Sequence, residues 1–293
     1  MPHDSVVGID AETGEVVAVV EVGSDPLLLT VAGGQVWTLD LGDGALTRID
    51  PVTYEPSTVR LAGDVVGMGS DGEDLWVAFD GRFLVRLDGA TGTKEASITL
   101  SEAPIFRLRD AGFLAVANGA AWMTVPVVGQ ASEPQTLWKI DVESGAVAER
   151  YPIGRDPVTP LVTEEAVWVP VLGGNEIVRL DRTGDQSTIE FVTFPVWVTS
   201  GDGSIWVALE RSEAIARLSP ADGRLIATID VGSRTRGVAV GGGSAWAATE
   251  AGVTEIRTAT NAVGHDIRLV DETHEVGPIG IAYLDGVVWV SVE

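Results

Sequence analysis

At 293 residues with 45% hydrophobic side chains, the chain can hold one large all-β domain or two average ones, with enough apolar material to close a core. It contains no cysteine, which excludes disulfides and thiolate metal centres. Its formal charge of -24, from 43 Asp and Glu against 19 Lys and Arg, opposes nucleic acid and anionic lipid as partners, and the acids are scattered as on a solvated acidic surface.

The N-terminal stretch MPHDSVVGIDAETG, residues 1–14, has no basic region leading into an apolar one, so no secretory signal is expected. No 18-residue apolar span follows anywhere, so no membrane insertion is expected either, and the compartment stays undetermined. The sequence begins abruptly enough to fit a piece of a longer protein whose other parts carry targeting. Two short alternating segments open the chain, VVGID ending at Asp10 and VVAVVEV at 16–22. Both read as strands.

From there one unit repeats. GGQVWTLDLGDGALTRIDPVT, 33–53, alternates apolar and polar residues twice around a Gly-rich turn, and EAVWVPVLGGNEIVRLDRTGD from Glu165 and GSIWVALERSEAIARLSPADG from Gly203 follow the same pattern. An aromatic within a short apolar run marks each copy: Trp37, Trp76, Trp122, Trp168, Trp206, Trp246 and Trp289. A second segment closes on Asp10, Asp50, Asp88, Asp141 and Asp181, with Ser219 and Arg257 in the corresponding places. Each marker occurs seven times, and no stretch holds a 3.6-residue apolar period.

Four antiparallel strands per unit, repeated near every 42 residues, predict an all-β, seven-bladed β-propeller, a ring that hides the edges an open sheet array exposes. Residues 1–293 then form one domain. The chain begins at the third strand of a unit and ends after the second strand of another, so the last blade is expected to be closed by both termini. In this register each Trp lies on a second strand and packs between blades, and each Asp ends a third strand and caps a turn with its carboxylate. The triplet glycines join strand to strand and form no phosphate loop.

At these repeats the sequence resembles bacterial YVTN-type propellers and, more loosely, the streptogramin (virginiamycin B) lyase-like propellers, through phrases such as VWTLDLGDGALTRIDPVT and DVGSRTRGVAVGGGSAWAATE. The likeness covers the whole chain and implies the fold; it leaves function open, because such rings serve as enzymes, sensors and adhesion modules. The lyase branch implies a metal-assisted elimination served by His and Glu at the channel mouth, in repeats that read like WFTE. Here the repeats read WVALE to Glu210, WAATE to Glu250 and WVSVE to Glu293, one residue longer, which turns the carboxylate to the other strand face. Only His3, His265 and His274 are present, and Glu272 with His274 form the one Glu-x-His pair that could bind Mg or Ca. The pair sits in the link before the inner strand of the last blade rather than after an aromatic strand, so solvated linker residues are the expected reading and metal binding the alternative.

Departures from the repeat point to function more directly than the repeat does. The third inner-strand position holds Leu28, Gly67, Phe113, Thr159, Trp197, Gly237 and Gly280, so four blades carry a larger residue near the axis, where glycine fits the pattern. Trp197 and Phe113 are candidate apolar walls of a pocket; a simple plug of the channel is the alternative. The links entering the inner strands include Arg155, Arg234 and Arg236, candidate anchors for a carboxylate or phosphate, with salt bridges to neighbouring acids as the alternative. Segments 101–112 and 125–136 lengthen the third blade, and long loops on rigid scaffolds commonly carry specificity. No Ser-His-Asp set or zinc spacing can be assembled. The expectation is a monomeric, non-enzymatic recognition module, without cofactor, that binds a small molecule or protein segment at the channel mouth. A divalent-metal lyase or hydrolase and a structural ring within a larger protein are the alternatives.

Overall fold

The computed structural model describes residues 3–61, 63, 65–79, 82–102, 114–125, 135–269 and 280–292. They form seven four-stranded antiparallel sheets arranged as the blades of a propeller. Blades 1 to 6 occupy residues 26–59, 65–99, 114–154, 161–190, 195–230 and 235–268, each running from an inner to an outer strand. Blade 7 takes its inner strands, Ile281–Leu284 and Val287–Val292, from the C-terminal end and its outer strands, Ser5–Asp10 and Val16–Glu21, from the N-terminal end. The closing ladder runs from Ser5 opposite Val292 to Asp10 opposite Val287.

The second strands explain why the pattern repeats. Their side chains alternate between two blade faces, and both faces are covered by neighbouring blades, so they read as nearly continuous apolar runs: Ala166–Val171 and Ser204–Leu209 are buried throughout. Trp37, Trp168, Trp206, Trp246 and Trp289 are among the largest fully buried side chains. Three of their indole N–H groups find backbone acceptors: Trp206 donates to the Gly201 carbonyl, Trp246 to that of Gly241, and Trp37 crosses to Gly89 of the next blade, whereas that of Trp289 is buried without a partner among the described residues. The core is accordingly divided into apolar seams, such as Trp37, Leu39 and Leu46 of blade 1 against Val65, Leu75 and Val77 of blade 2.

The repeated aspartates cap turns. Asp50 accepts from the backbone N–H groups of Val52 and Thr53 at 2.8 and 2.9 Å, and Asp10, Asp88, Asp141 and Asp181 make the corresponding bonds. Hydrogen bonds from Thr53 and Val52 hold the Asp50 carboxyl below the usual range. Such a group stabilises the fold above its unfolded pKa and ceases to do so as pH falls through its folded one. Asp50→Ala is therefore expected to lower the melting temperature by a few degrees at pH 7, with a smaller difference from wild type in acid and no selective change in ligand binding. Thermal melts at pH 7 and pH 3 check this.

Candidate functional site

Successive inner strands stand side by side around the axis, entered from the inter-blade links on one face. In blades 1, 2, 5 and 6 the pairing slips at the start of the inner strand, leaving Leu27, Val66, Val196 and Arg236 as extra residues opposite the second strand. A bulge of this kind re-aims the side chain that it carries. In three blades that side chain is aliphatic; in blade 6 it is a guanidinium.

Trp197 lies on the inner strand of blade 5, half-buried, and packs against two apolar groups at once. One is the seam of blades 5 and 6, with Trp206, Val238 and Ala245. The other belongs to blades 1 and 2, with Leu28, Met68 and Val65, so the indole reaches across the axis. A cavity of about 200 Å³ adjoins it, lined by Leu28, Met68, Leu114, Thr159, Leu161 and other inner-strand residues of blades 1 to 4. Its far wall includes Ser70, Val116 and Val162, late in their strands, which puts the cavity on the hairpin-turn side of Trp197. The indole thus stands between the link-face mouth and an apolar chamber. Phe113, the other expected wall, lies outside the described residues.

Arg234 and Arg236 enter blade 6 next to Trp197's strand and meet acids on the loops after second strands. Arg234 pairs with Glu210 at 2.6 Å and Glu250 at 3.1 Å, while Arg236 reaches the same Glu250 oxygen at 3.4 Å. The charge of Glu210, foremost, raises the Arg234 pKa further. One Glu250 oxygen therefore serves two guanidinium groups, and the Nε atoms of both arginines are buried without a hydrogen-bond partner among the described residues. Arg155 is in the link before blade 4, where its carbonyl accepts from the Gly173 N–H at 2.9 Å. Arg155, Trp197 and Arg236 thus belong to three consecutive blades, but only Arg234 and Arg236 share a partner. Glu210 and Glu250 were legible as candidates: each lies four residues after its blade Trp, and that shared spacing places both on the link face.

Glu272 and His274 lie outside the described residues, as do residues 103–112 and 126–134 of the lengthening segments 101–112 and 125–136. Among the described residues no three His, Cys, Asp or Glu side chains converge as metal ligands. His265 is on the outer strand of blade 6, where its backbone N–H donates to Glu255, far from the axis. The described donors therefore do not fit a divalent-metal centre at the channel. No helix among the described residues is long and apolar enough to cross a membrane.

No protein-family profile matches the chain, and no curated protein sequence matches it. Solved structures do. A streptogramin B lyase is 21% identical with a TM-score of 0.70, covering 92% of this chain and 91% of its own. A virginiamycin B lyase from Staphylococcus aureus is 17% identical with a TM-score of 0.69, over 97% and 98% of the two chains. AztD from Citrobacter koseri is 13% identical with a TM-score of 0.67, over 99% and 96%. At these identities the likeness is one of fold: the chain is a seven-bladed β-propeller of the architecture that the streptogramin lyases share.

Proposed function

We propose that this protein is a non-enzymatic recognition module that binds a small acidic ligand, or an acidic end of a protein segment, at the link-face mouth beside Trp197. The observation that carries this reading is the incomplete pairing of Arg234 and Arg236, whose buried Nε donors have no partner among the described residues and whose shared Glu250 oxygen is 3.4 Å from Arg236. A buried donor left unpaired carries a desolvation cost that a ligand carboxylate would remove, and a guanidinium favours bidentate contact with such a group. Trp197 on the neighbouring strand offers apolar area for the rest of the ligand. The lyase neighbours share the ring with this chain, and no reaction step follows from its described residues.

A panel of aromatic monocarboxylates, benzoate and indole-3-carboxylate among them, with the matching carboxamides as neutral controls, tests the reading by calorimetric titration. Carboxylates are expected to bind and amides to bind far more weakly. Arg236→Ala should remove the preference for the acid, and Trp197→Ala should weaken every binder about tenfold, whereas Trp37→Phe in a seam leaves affinity unchanged. Equal affinity for acids and amides, or tighter binding of small apolar molecules once Trp197 is truncated, would identify the indole as a plug of the channel and overturn the proposal.

A further inference from the structure

Three of the seams, between blades 1 and 2, 4 and 5, and 5 and 6, share an arginine that crosses to the facing turn, and the seam between blades 3 and 4 departs from this plan three times. The plan is clearest at blades 1 and 2. Arg48, opposite Trp37 on the third strand, donates to the Ala90 carbonyl in the turn before the outer strand of blade 2. Gly92 of that turn sits so close to blade 1 that a Cβ there would lie 2.9 Å from Val59 and 3.0 Å from the Trp37 ring. Blades 4 and 5 repeat this: Arg179 donates to the Ala221 carbonyl at 2.9 Å, and Gly223 presses on Ile189 and Trp168. At blades 5 and 6, Arg217 donates to the Thr258 carbonyl at 2.5 Å.

At blades 3 and 4 the arginine is replaced by Lys139, which sits 5.4 Å from the Trp122 ring centroid and pairs with Glu149 of its own blade at 2.8 Å. The aliphatic residue of the outer strand, Val59 in blade 1 and Ile189 in blade 4, is replaced by Tyr151, which stacks on Trp122 with centroids 6.2 Å apart and donates its hydroxyl to Glu149. The facing turn is one residue shorter: the Asp181 N–H bonds the carbonyl four residues on, at Asp185, where Asp50, Asp88, Asp141 and Ser219 bond the fifth. Gly184 consequently stops short, with the Tyr151 ring edge 3.9 Å from where its Cβ would be. The three changes together open a cavity of about 460 Å³ between the blades, within the size range of small-ligand sites.

The chemistry of its wall narrows the ligand. Lys139 and Arg182 face Glu149, Glu164 and Asp181, so the wall has one more carboxylate than cations and repels an anion. The seat over the Trp122 face is already taken by the Lys139 ammonium, so a second cation gains little there. What remains suits a neutral molecule with many hydroxyl groups and an apolar ring face. Carboxylates accept from its hydroxyls, Lys139 and Asn118 donate to its oxygens, and the negative face of Tyr151 attracts ring C–H groups. We infer that the cleft between blades 3 and 4 is a carbohydrate-binding site for a neutral mono- or disaccharide, separate from the axial mouth.

Saturation-transfer NMR and calorimetry with glucose, galactose, N-acetylglucosamine, maltose and cellobiose test this on the full chain. At least one sugar is expected to bind. Replacing Arg182-Thr183-Gly184 with the four-residue turn Pro-Ala-Asp-Gly, as found at 220–223, restores the standard turn length and should close the cleft and weaken binding about tenfold or more. Tyr151→Ile and Glu149→Gln, which keep the turn, should each weaken it severalfold, so the proposal stays testable if the turn graft misfolds. Trp197→Ala should leave sugar affinity unchanged, which separates this cleft from the axial mouth. Failure of every sugar to bind at millimolar concentration, or unchanged affinity in Tyr151→Ile and Glu149→Gln, would overturn it.

Discussion

Deleting residues 1–22 is expected to abolish the cooperative thermal transition. Those residues supply both outer strands of blade 7, and Val6, Val7 and Ile9 are fully buried there, with Ala18 and Val20 nearly so. Removing them uncovers Trp289 and the long edge of Val287–Val292, which pairs along its whole length with Ser5–Asp10. At about 1.5–3 kcal/mol for each large side chain returned to water, the loss rivals the entire stability of an ordinary domain, about 5–15 kcal/mol. The newly exposed edge also invites association with other chains. Circular dichroism melts and size-exclusion chromatography check this. A truncated chain that melts as sharply as the intact one, and elutes as a monomer, would mean that the ladder through the termini does not hold the ring.

Asp40→Asn is expected to stabilise the protein at neutral pH and to have little effect in acid. Asp40 ends the second strand of blade 1 and is fully buried, and that desolvation pushes its carboxyl up to about 6, against the hydrogen bond from Thr47 at 2.5 Å. Its Oδ1 has no hydrogen-bond partner among the described residues, and neighbouring Asp43 adds like charge. A folded pKa above the unfolded one makes the native state the better proton binder between about pH 4 and 6, so stability falls as pH rises through that window. A shift of about two pH units corresponds to about 3 kcal/mol, lost by pH 7 and recovered by an amide that needs no proton. Chemical unfolding of Asp40→Asn and wild type at pH 4.5 and 7.5 reads the effect directly. Equal differences at the two pH values would show that Asp40 is charged in the fold throughout. The turn-capping aspartates act in the opposite sense, so stability should peak in mild acid.

The ring was legible because its determinants are local and repeated. A second strand covered on both faces leaves a Trp-bearing apolar run, a capped turn leaves an Asp at its end, and counting either marker yields the blade number and the shared seventh blade. The sites were less legible because they depend on residues that meet across blades. Trp197 stood out as a large residue in a position suited to glycine, yet its reach to Leu28 and Met68 follows from the closed ring alone. Arg234 and Arg236 were recognisable as cations near one mouth, whereas their sharing of Glu250 required the loop geometry. The cleft at blades 3 and 4 escaped notice because each of its causes is mild in sequence. Lys139 is a common substitute for Arg, Tyr151 occupies an outer-strand position that usually varies, and one missing turn residue is hidden among unequal repeats.

The most direct test of recognition at the axial mouth is fluorine NMR of protein labelled with 5-fluorotryptophan, with the Trp197 signal assigned from its absence in Trp197→Phe. A carboxylate from the panel should shift the Trp197 resonance in a saturable way and leave Trp246 and Trp37, buried in the seams, unmoved. A carboxylate that binds by calorimetry yet leaves the Trp197 signal unchanged at saturation would contradict the account.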